Sequence, residues 1–154
     1  YIINSENDMY SAIVTSKLSA DSFIVQEFIE GKEYTVSVIS DQKANLREIV
    51  PVFVNDKKGI TIEAQIDCNP QVIKICKEFH RQFKPAGNVN IQLKLDKKDV
   101  PYIFEINPRV STTLCMAMYG GIDPIQAFIG AKNIGNLSED VKLFRYWNNY
   151  LTKK

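Results

Sequence analysis

Hydrophobic residues along the chain follow two periodicities. They recur at helical spacing over residues 5–18 and 70–83, and Asn69 and Pro70 suit the N-cap and the first position of the second helix. Other segments alternate apolar and polar residues with a period of two, which is typical of β-strands. Because strands and helices come in groups and not in strict alternation, the pattern predicts an α+β fold, an antiparallel sheet with packed helices.

The two-residue period predicts seven strands. They cover residues 23–29, 34–39, 46–54, 60–66, 89–95, 102–106 and 141–151. The first two are expected to form a hairpin around residues 30–32, and residues 89–95 and 102–106 to form another. Short helices are expected over residues 111–119 and 124–129, since Gly120 and Gly130 can end them.

The composition fits one packed domain. The chain has 154 residues and is 45% apolar, which is too hydrophobic for a disordered segment. It begins with Tyr1, and we interpret it as a piece of a longer protein. Nineteen basic and 18 acidic residues leave no strong positive field, so nucleic acid is not an expected partner. No apolar run approaches the roughly 20 residues that span a bilayer, so no membrane is expected either.

Cysteine and histidine offer little chemistry. Cys68, Cys76 and Cys115 match no zinc or disulfide spacing, and free thiols in a cytoplasmic protein explain them most simply. His80 follows Cys76 by one helical turn, but two groups make no closed zinc site. We expect His80 on a helix surface.

Oxygen-bearing side chains share one face of the strand at residues 102–107. Regular alternation places Ile103, Glu105 and Asn107 on that face and the other three residues on the opposite one. By the same alternation, the preceding strand contributes Asn90 and Gln92. A carboxylate with amides suits Mg²⁺, which keeps waters and completes its shell with substrate phosphates. A solvated face of an edge hairpin remains the commoner explanation of such a pattern.

Arg109 follows these residues after a rigid Pro108, where its guanidinium could bind phosphate oxygens in a bidentate manner. Arg47, Lys57 and Lys58 could also reach an anion. For those three residues, a charged turn or a solvated strand face is the commoner explanation.

Three segments resemble the ATP-grasp superfamily. Residues 104–111, Phe-Glu-Ile-Asn-Pro-Arg-Val-Ser, resemble its metal-binding signature, with a likeness to the large subunit of carbamoyl phosphate synthase and related carboxylate-amine ligases. Residues 26–34 resemble the adenine hinge and ribose segment, and residues 87–92 resemble the strand that bears the first metal ligand. Residues 144–147 resemble the closing strand of many relatives.

The resemblance implies a nucleotide site. Backbone groups of Gln26, Glu27, Phe28 and Ile29 would meet the adenine edge. Glu33 would accept hydrogen bonds from the ribose hydroxyls, a role that an ionised carboxylate can fill.

The resemblance also implies the metal ligands. Gln92, Glu105 and Asn107 would bind two Mg²⁺ ions, with Glu105 bridging them, and Arg109 would neutralise phosphate. Asn90 and Gln92 point to the same face, so the residues alone do not separate them, and the family's pattern favours Gln92.

The implied activity is that of an ATP- and Mg²⁺-dependent carboxylate-amine ligase. ATP would activate a small carboxylate as an acyl phosphate, and an amine or ammonia would displace the phosphate. The family's glycine-rich loop and N-terminal domain are not recognisable, so residues 1–154 are interpreted as a single partial domain with little activity by itself. The alternative is a non-catalytic nucleotide-binding or interaction domain, and a homo-oligomer is compatible with either.

Overall fold

Four α-helices and six strands make up the fold of the described residues. The computed structural model describes residues 1–146. Its helices are α1 (Glu6–Ser16), α2 (Pro70–Phe83), α3 (Leu114–Tyr119) and α4 (Pro124–Phe128). Its strands are β1 (Gly31–Ser40), β2 (Leu46–Lys58), β3 (Ile60–Ile66), β4 (Asn88–Asp96), β5 (Pro101–Asn107) and β6 (Lys142–Phe144).

The strands of residues 1–146 form one sheet in the order β5-β4-β1-β2-β3-β6. Every neighbouring pair is antiparallel. Local connections join β1 to β2, β2 to β3 and β4 to β5, whereas α2 lies in the crossover that carries the chain from β3 to β4. The predicted α+β class, with helices packed on an antiparallel sheet, is therefore confirmed.

Each face of the sheet carries its own hydrophobic core. On the first, which we call the α2 face, buried residues of β1 and β4 pack against α2. The strands contribute Tyr34, Val36, Val38, Ile91 and Leu93 to this core, and the helix contributes Val72, Cys76 and Phe79. The opposite face is covered by α3, α4 and the loops beside them over β2, β3 and the end of β1. Its core includes Val50, Val52, Ala64, Ile66, Met116, Ala117, Ile122 and Ala127.

The second face, which we call the site face, changes character across the sheet. Residues that pair directly across antiparallel strands point to the same side. Thr35 pairs with Val52 on one side and with Gln92 on the other. The apolar half of this face is therefore covered by helices, and the half formed by β1, β4 and β5 presents polar side chains.

Helix α2 is capped at its N-terminus as the sequence predicts. The Asn69 side-chain oxygen accepts hydrogen bonds from the backbone N–H groups of Gln71 and Val72, at 2.9 and 3.3 Å, and Pro70 begins α2. Helix α1 is also confirmed, with Ser5 as its N-cap. Ala12 is the one buried residue of α1.

The predicted strand at residues 23–29 is not formed, and neither is its hairpin with residues 34–39. Both edges of β1 are already paired, with β2 and with β4, so no hydrogen-bonding edge remains for a preceding strand. Residues 23–30 have an irregular backbone, and Ile24 and Val25 are 86% and 78% exposed. An apolar run alone does not make a strand when no partner edge is available.

The end of the chain is described only in part. Strand β6 spans three residues and pairs with β3 at the sheet edge. Residues 147–151 of the predicted last strand lie outside the described residues, as does Trp147 of the segment that resembles a closing strand.

Candidate functional site

A polar cleft opens on the site face above β1, β4 and β5. A cavity of about 290 Å³ lies there, bounded by strand residues on the sheet side and by the loop that follows β5. Its lining includes Glu33, Thr35, Lys57, Asn90, Gln92, Glu105, Arg109 and Thr113. Four of the site residues that the resemblance implies, Glu33, Gln92, Glu105 and Arg109, therefore line one cavity.

Glu105 lies between the two amides predicted beside it. Gln92 Nε2 donates to Glu105 Oε2 at 2.8 Å, and Asn107 Nδ2 donates to Glu105 Oε1 at 2.7 Å. Strand pairing explains the first contact, since Gln92 pairs with Glu105 across β4 and β5 and both point to the site face. The structure therefore brings together the three oxygen-bearing side chains.

A β-bulge at Phe104 corrects the predicted faces of β5. Leu93 pairs with Ile103 and Gln92 with Glu105, so Phe104 is an extra residue in this strand. Ile103 consequently packs against the core on the α2 face, opposite Glu105. The prediction that it shares a face with Glu105 and Asn107 is wrong for Ile103 and holds for the other two.

Asn90 has a different environment from Gln92. It is 3% exposed, and its side-chain oxygen accepts a hydrogen bond from Thr35 Oγ1 at 2.8 Å. Gln92, at the more exposed end of the cleft, contacts Glu105 directly. The two residues share a face as expected, and the contact with Glu105 belongs to Gln92.

Lys57 is the site residue that the sequence interpretation set aside. Its Nζ donates to Glu33 Oε1 at 2.8 Å and to Gln92 Oε1 at 3.2 Å. Regular alternation from Val54 would turn Lys57 away from the cleft, but β2 carries an extra residue at Asn55, which turns it back. Polar residues that continue β2 beyond Val54 were the available signal, but they fit a charged turn equally well.

Glu33 is an ionised group held by two lysines. Burial by itself would raise its pKa, but the hydrogen bonds and charges of Lys57 and Lys94 outweigh that effect and hold the pKa below the usual value of a glutamate. Lys94 Nζ lies 3.2 Å from Glu33 Oε2. The carboxylate is therefore charged at neutral pH and has acceptor capacity at the mouth of the cleft.

A second cavity, of about 450 Å³, adjoins the first. Both are lined by Glu33, Val54 and Lys57, and the second extends to Gly31 and Lys94. Glu33 and Lys57 therefore border both cavities.

The four predicted adenine-hinge residues lie just before β1. Gln26, Glu27, Phe28 and Ile29 line neither cavity. Within residues 1–146, their backbone N–H and C=O groups make no hydrogen bond with other backbone groups. Their backbone can therefore pair with an external hydrogen-bonding edge, although the structure does not bring them into the cleft.

Arg109 lies at the outer rim of the first cavity, together with residues 111–113. Its Nη1 donates to the carbonyl oxygen of Val110 at 3.1 Å, and the residue is exposed. The remaining guanidinium donors can therefore reach an anion in the cleft.

The other candidates lie elsewhere. Arg47 donates to the carbonyl oxygen of Ala131, away from the cleft. His80 is buried, so the expectation of a surface histidine is wrong; α2 buries residues 72, 76, 79 and 80, a stripe wide enough to include it. Burial raises the pKa of the Cys76 thiol to about 12, which makes it unreactive.

The donor set fits Mg²⁺ better than a soft metal. In the part of the chain that the structure describes, no three His, Cys, Asp or Glu side chains form a metal-binding group. One carboxylate with two amides offers hard oxygen atoms and little charge, which suits an ion that keeps waters and phosphate oxygens in its shell.

Over residues 1–146, no helix is both long enough and apolar enough to cross a membrane.

Comparisons with known proteins identify the family of this chain. Residues 19–146 match the family described as ATP-grasp in the biosynthetic pathway with Ter operon. Over 121 residues the chain is 31% identical to tyramine–L-glutamate ligase of Methanocaldococcus jannaschii, a match that covers 75% of this chain and 37% of that protein. The chain therefore spans well under half the length of this relative.

Solved structures share the fold at low identity. N5-carboxyaminoimidazole ribonucleotide synthetase of Thermus thermophilus superposes with a TM-score of 0.67 and 13% identity, over 92% of this chain and 41% of that one. The Staphylococcus aureus N5-carboxyaminoimidazole synthetase complexed with ADP gives a TM-score of 0.61 and 14% identity, over 85% of this chain and 38% of that one. With a family match over most of its length and an antiparallel sheet that carries the signature residues in one cleft, this chain belongs to the ATP-grasp family.

Proposed function

We propose that this chain carries the ATP- and Mg²⁺-binding part of a carboxylate-amine ligase. The observation that carries the proposal is the placement of Glu105 between Gln92 and Asn107, in the same cleft as Glu33, Lys57 and Arg109. Oxygen ligands for a hard cation and cationic donors for phosphate are thus adjacent, as binding of a metal–nucleotide complex requires.

The proposed roles fall into two groups, one for the nucleoside and one for the metal and phosphates. Backbone groups of Gln26 to Ile29 would meet the adenine edge, and Glu33 would accept hydrogen bonds from the ribose hydroxyls. Glu105 would bridge two Mg²⁺ ions, with Gln92 and Asn107 completing the protein ligands. Bound Mg²⁺ would neutralise the triphosphate and withdraw charge from the phosphoryl group being transferred.

The proposed reaction has two displacement steps. A carboxylate oxygen of the substrate attacks the γ-phosphorus of ATP, and the bond from that phosphorus to the β,γ-bridging oxygen breaks. ADP is the leaving group, and the substrate becomes an acyl phosphate. An amine or ammonia then attacks the acyl carbon, loses a proton and expels inorganic phosphate. Arg109 would hold the phosphoryl oxygens, so this chain contributes positioning and charge stabilisation.

The name of the tyramine–L-glutamate ligase supports a small amino-acid carboxylate and an amine as the substrate class. Activation as an acyl phosphate, in the manner of carbamoyl phosphate synthase-like enzymes, belongs to the same proposal.

The test is Glu105→Gln, which keeps the shape of the side chain and removes the charge of the ligand set. We expect MgADP to bind at least about tenfold more weakly, while ADP in excess EDTA binds nearly as in the unchanged protein, because a metal-bound carboxylate is worth more than about 1.4 kcal/mol. Isothermal titration calorimetry of the full chain measures both.

Glu63→Gln is the matched control, because Glu63 lies on the opposite face of the sheet from Ala64 and makes no ion pair within residues 1–146. Equal loss of MgADP affinity in both variants, or no loss in either, would remove Glu105 from the metal site.

A further inference from the structure

The Gln92 amide joins two groups of opposite hydrogen-bonding character. Its Nε2 donates to Glu105 Oε2 at 2.8 Å, and its Oε1 accepts from Lys57 Nζ at 3.2 Å. An ionised carboxylate can only accept and an ammonium can only donate. The chemistry of the two neighbours therefore allows a single orientation of the amide, with the nitrogen toward Glu105 and the oxygen toward Lys57.

A metal bound at Glu105 requires the opposite orientation. Mg²⁺ is bound by amide oxygen and not by the amide NH₂ group. If Gln92 turns its oxygen toward Glu105, its NH₂ group turns toward the Lys57 ammonium, and two sets of donors then face each other. Lys57 and a divalent cation thus compete for the same oxygen atom.

Lys57 forms an ion pair with Glu33, but its side chain can move away from Gln92. Glu33 holds its ammonium at 2.8 Å, and the Lys57 side chain is 39% exposed, so it can swing without opening the core. Gly59, two residues later, has φ of +74°, and a Cβ added to it would meet no atom within 4 Å. The lysine also faces the cavity that Arg109 lines, where a bound phosphate would offer it an alternative acceptor.

We propose that Lys57 is a positioning residue that holds Gln92 in its donor orientation and so makes divalent-metal binding depend on a phosphate that draws the lysine away. This inference rests on the proposed function, since it takes Gln92 and Glu105 to be metal ligands. Its consequence is that the metal binds weakly by itself and strongly together with a phosphate-bearing ligand.

The test uses Mn²⁺ as the probe, with the full chain and no nucleotide, in an isothermal titration. Lys57→Met should tighten Mn²⁺ binding about tenfold, because the charge-assisted hydrogen bond to Gln92 no longer has to be broken. If the methionine variant fails to fold, Lys57→Ala gives the same comparison.

Lys94→Met separates this effect from simple charge removal. Lys94 pairs with the same Glu33 carboxylate, at 3.2 Å, but its hydrogen bonds do not include Gln92. It should tighten Mn²⁺ binding by only about twofold or less, the size of a partly screened surface charge effect. Equal tightening in Lys94→Met and Lys57→Met would overturn the proposed role of Lys57.

Two further variants distinguish a failure of this inference from a failure of the proposed metal site. Adding Gln92→Ala to Lys57→Met should cancel the gain, and a gain that persists without Gln92 contradicts the inference. If Glu105→Gln abolishes Mn²⁺ binding while Lys57→Met leaves it unchanged, the inference fails and the metal site stands. If Glu105→Gln leaves Mn²⁺ binding intact, the metal site itself fails, and the inference with it.

Discussion

Gly31 shows how strictly one position can be constrained at the scale of a single residue. It begins β1 and pairs with Asp96 of β4. A Cβ atom added to Gly31 would lie 2.0 Å from the carbonyl oxygen of Leu95 and 2.8 Å from its carbonyl carbon. These are backbone atoms, which cannot move aside as a flexible side chain can, so β1 and β4 come together here only because residue 31 has no side chain.

Gly31→Ala should therefore lower the free energy of unfolding by about 2–3 kcal/mol, the upper part of the usual cost of overpacking. Gly59→Ala provides the comparison: its Cβ would meet nothing within 4 Å, so its cost of about 1 kcal/mol comes from the positive φ alone. Urea unfolding at neutral pH measures both. A Gly31→Ala variant that is no less stable than Gly59→Ala would contradict the steric argument.

Prediction from sequence at this scale depends on whether alternation is interrupted. Glu105 and Asn107 lie two residues apart with no bulge between them, so their common face follows from the strand repeat. Lys57 could not be placed, because the extra residue at Asn55 reverses its direction and has no signature in composition. Its contacts with Glu33 and Gln92 are long-range pairings that only the folded sheet creates.

At the scale of elements, a segment is predictable when its own residues bury it. Helix α2 has a cap, a proline at its first position and an apolar stripe, and it forms as expected. Residues 23–29 are more apolar than α2, yet whether they form a strand depends on a free edge of β1, which the sequence cannot reveal. The local pattern of apolar residues therefore indicates whether a segment is a strand only where a neighbouring strand with a free edge is also known.

Helix α1 should open far more easily than the sheet. Its cap is in place, but Ala12 is its one buried residue, and Met9, Tyr10 and Val14 are exposed. Tertiary packing supplies most helical stability in proteins, so the amides of α1 should exchange with deuterium at least about a hundredfold faster than those in the middle of β1. Exchange followed by mass spectrometry tests this, and protection of α1 equal to that of β1 would show that its apolar side chains are covered in solution.

At the scale of the whole molecule, one sheet supports two cores. Residues that alternate along β1 contribute to both faces, since Tyr34 faces α2 and Thr35 faces the cleft. The class of fold was predictable because helices and strands occur in groups along the chain. The strand order was not predictable, since the residues that pair between β1 and β4 are 49 to 65 positions apart, from Ile39 with Asn88 to Gly31 with Asp96, and such pairing depends on tertiary contacts.

Substitutions in the two cores should act on a single unfolding transition. Ile91→Ala on the α2 face and Met116→Ala on the site face should each cost about 2–5 kcal/mol, because both residues are buried. The sheet separates them, so the double variant should show the sum to within about 0.5 kcal/mol. Circular dichroism during urea unfolding measures this, and two separate transitions would mean that the cores unfold independently.

The Phe104 bulge has a consequence for any attempt to align or transplant this strand. A strand repeats every two residues, so one extra residue reverses the side taken by everything that follows it. An ungapped comparison with a bulge-free strand would match either Ile103 or Glu105 correctly, and never both. Residues 103–107 are therefore best treated as an indivisible unit when the ligand pair is moved to another scaffold.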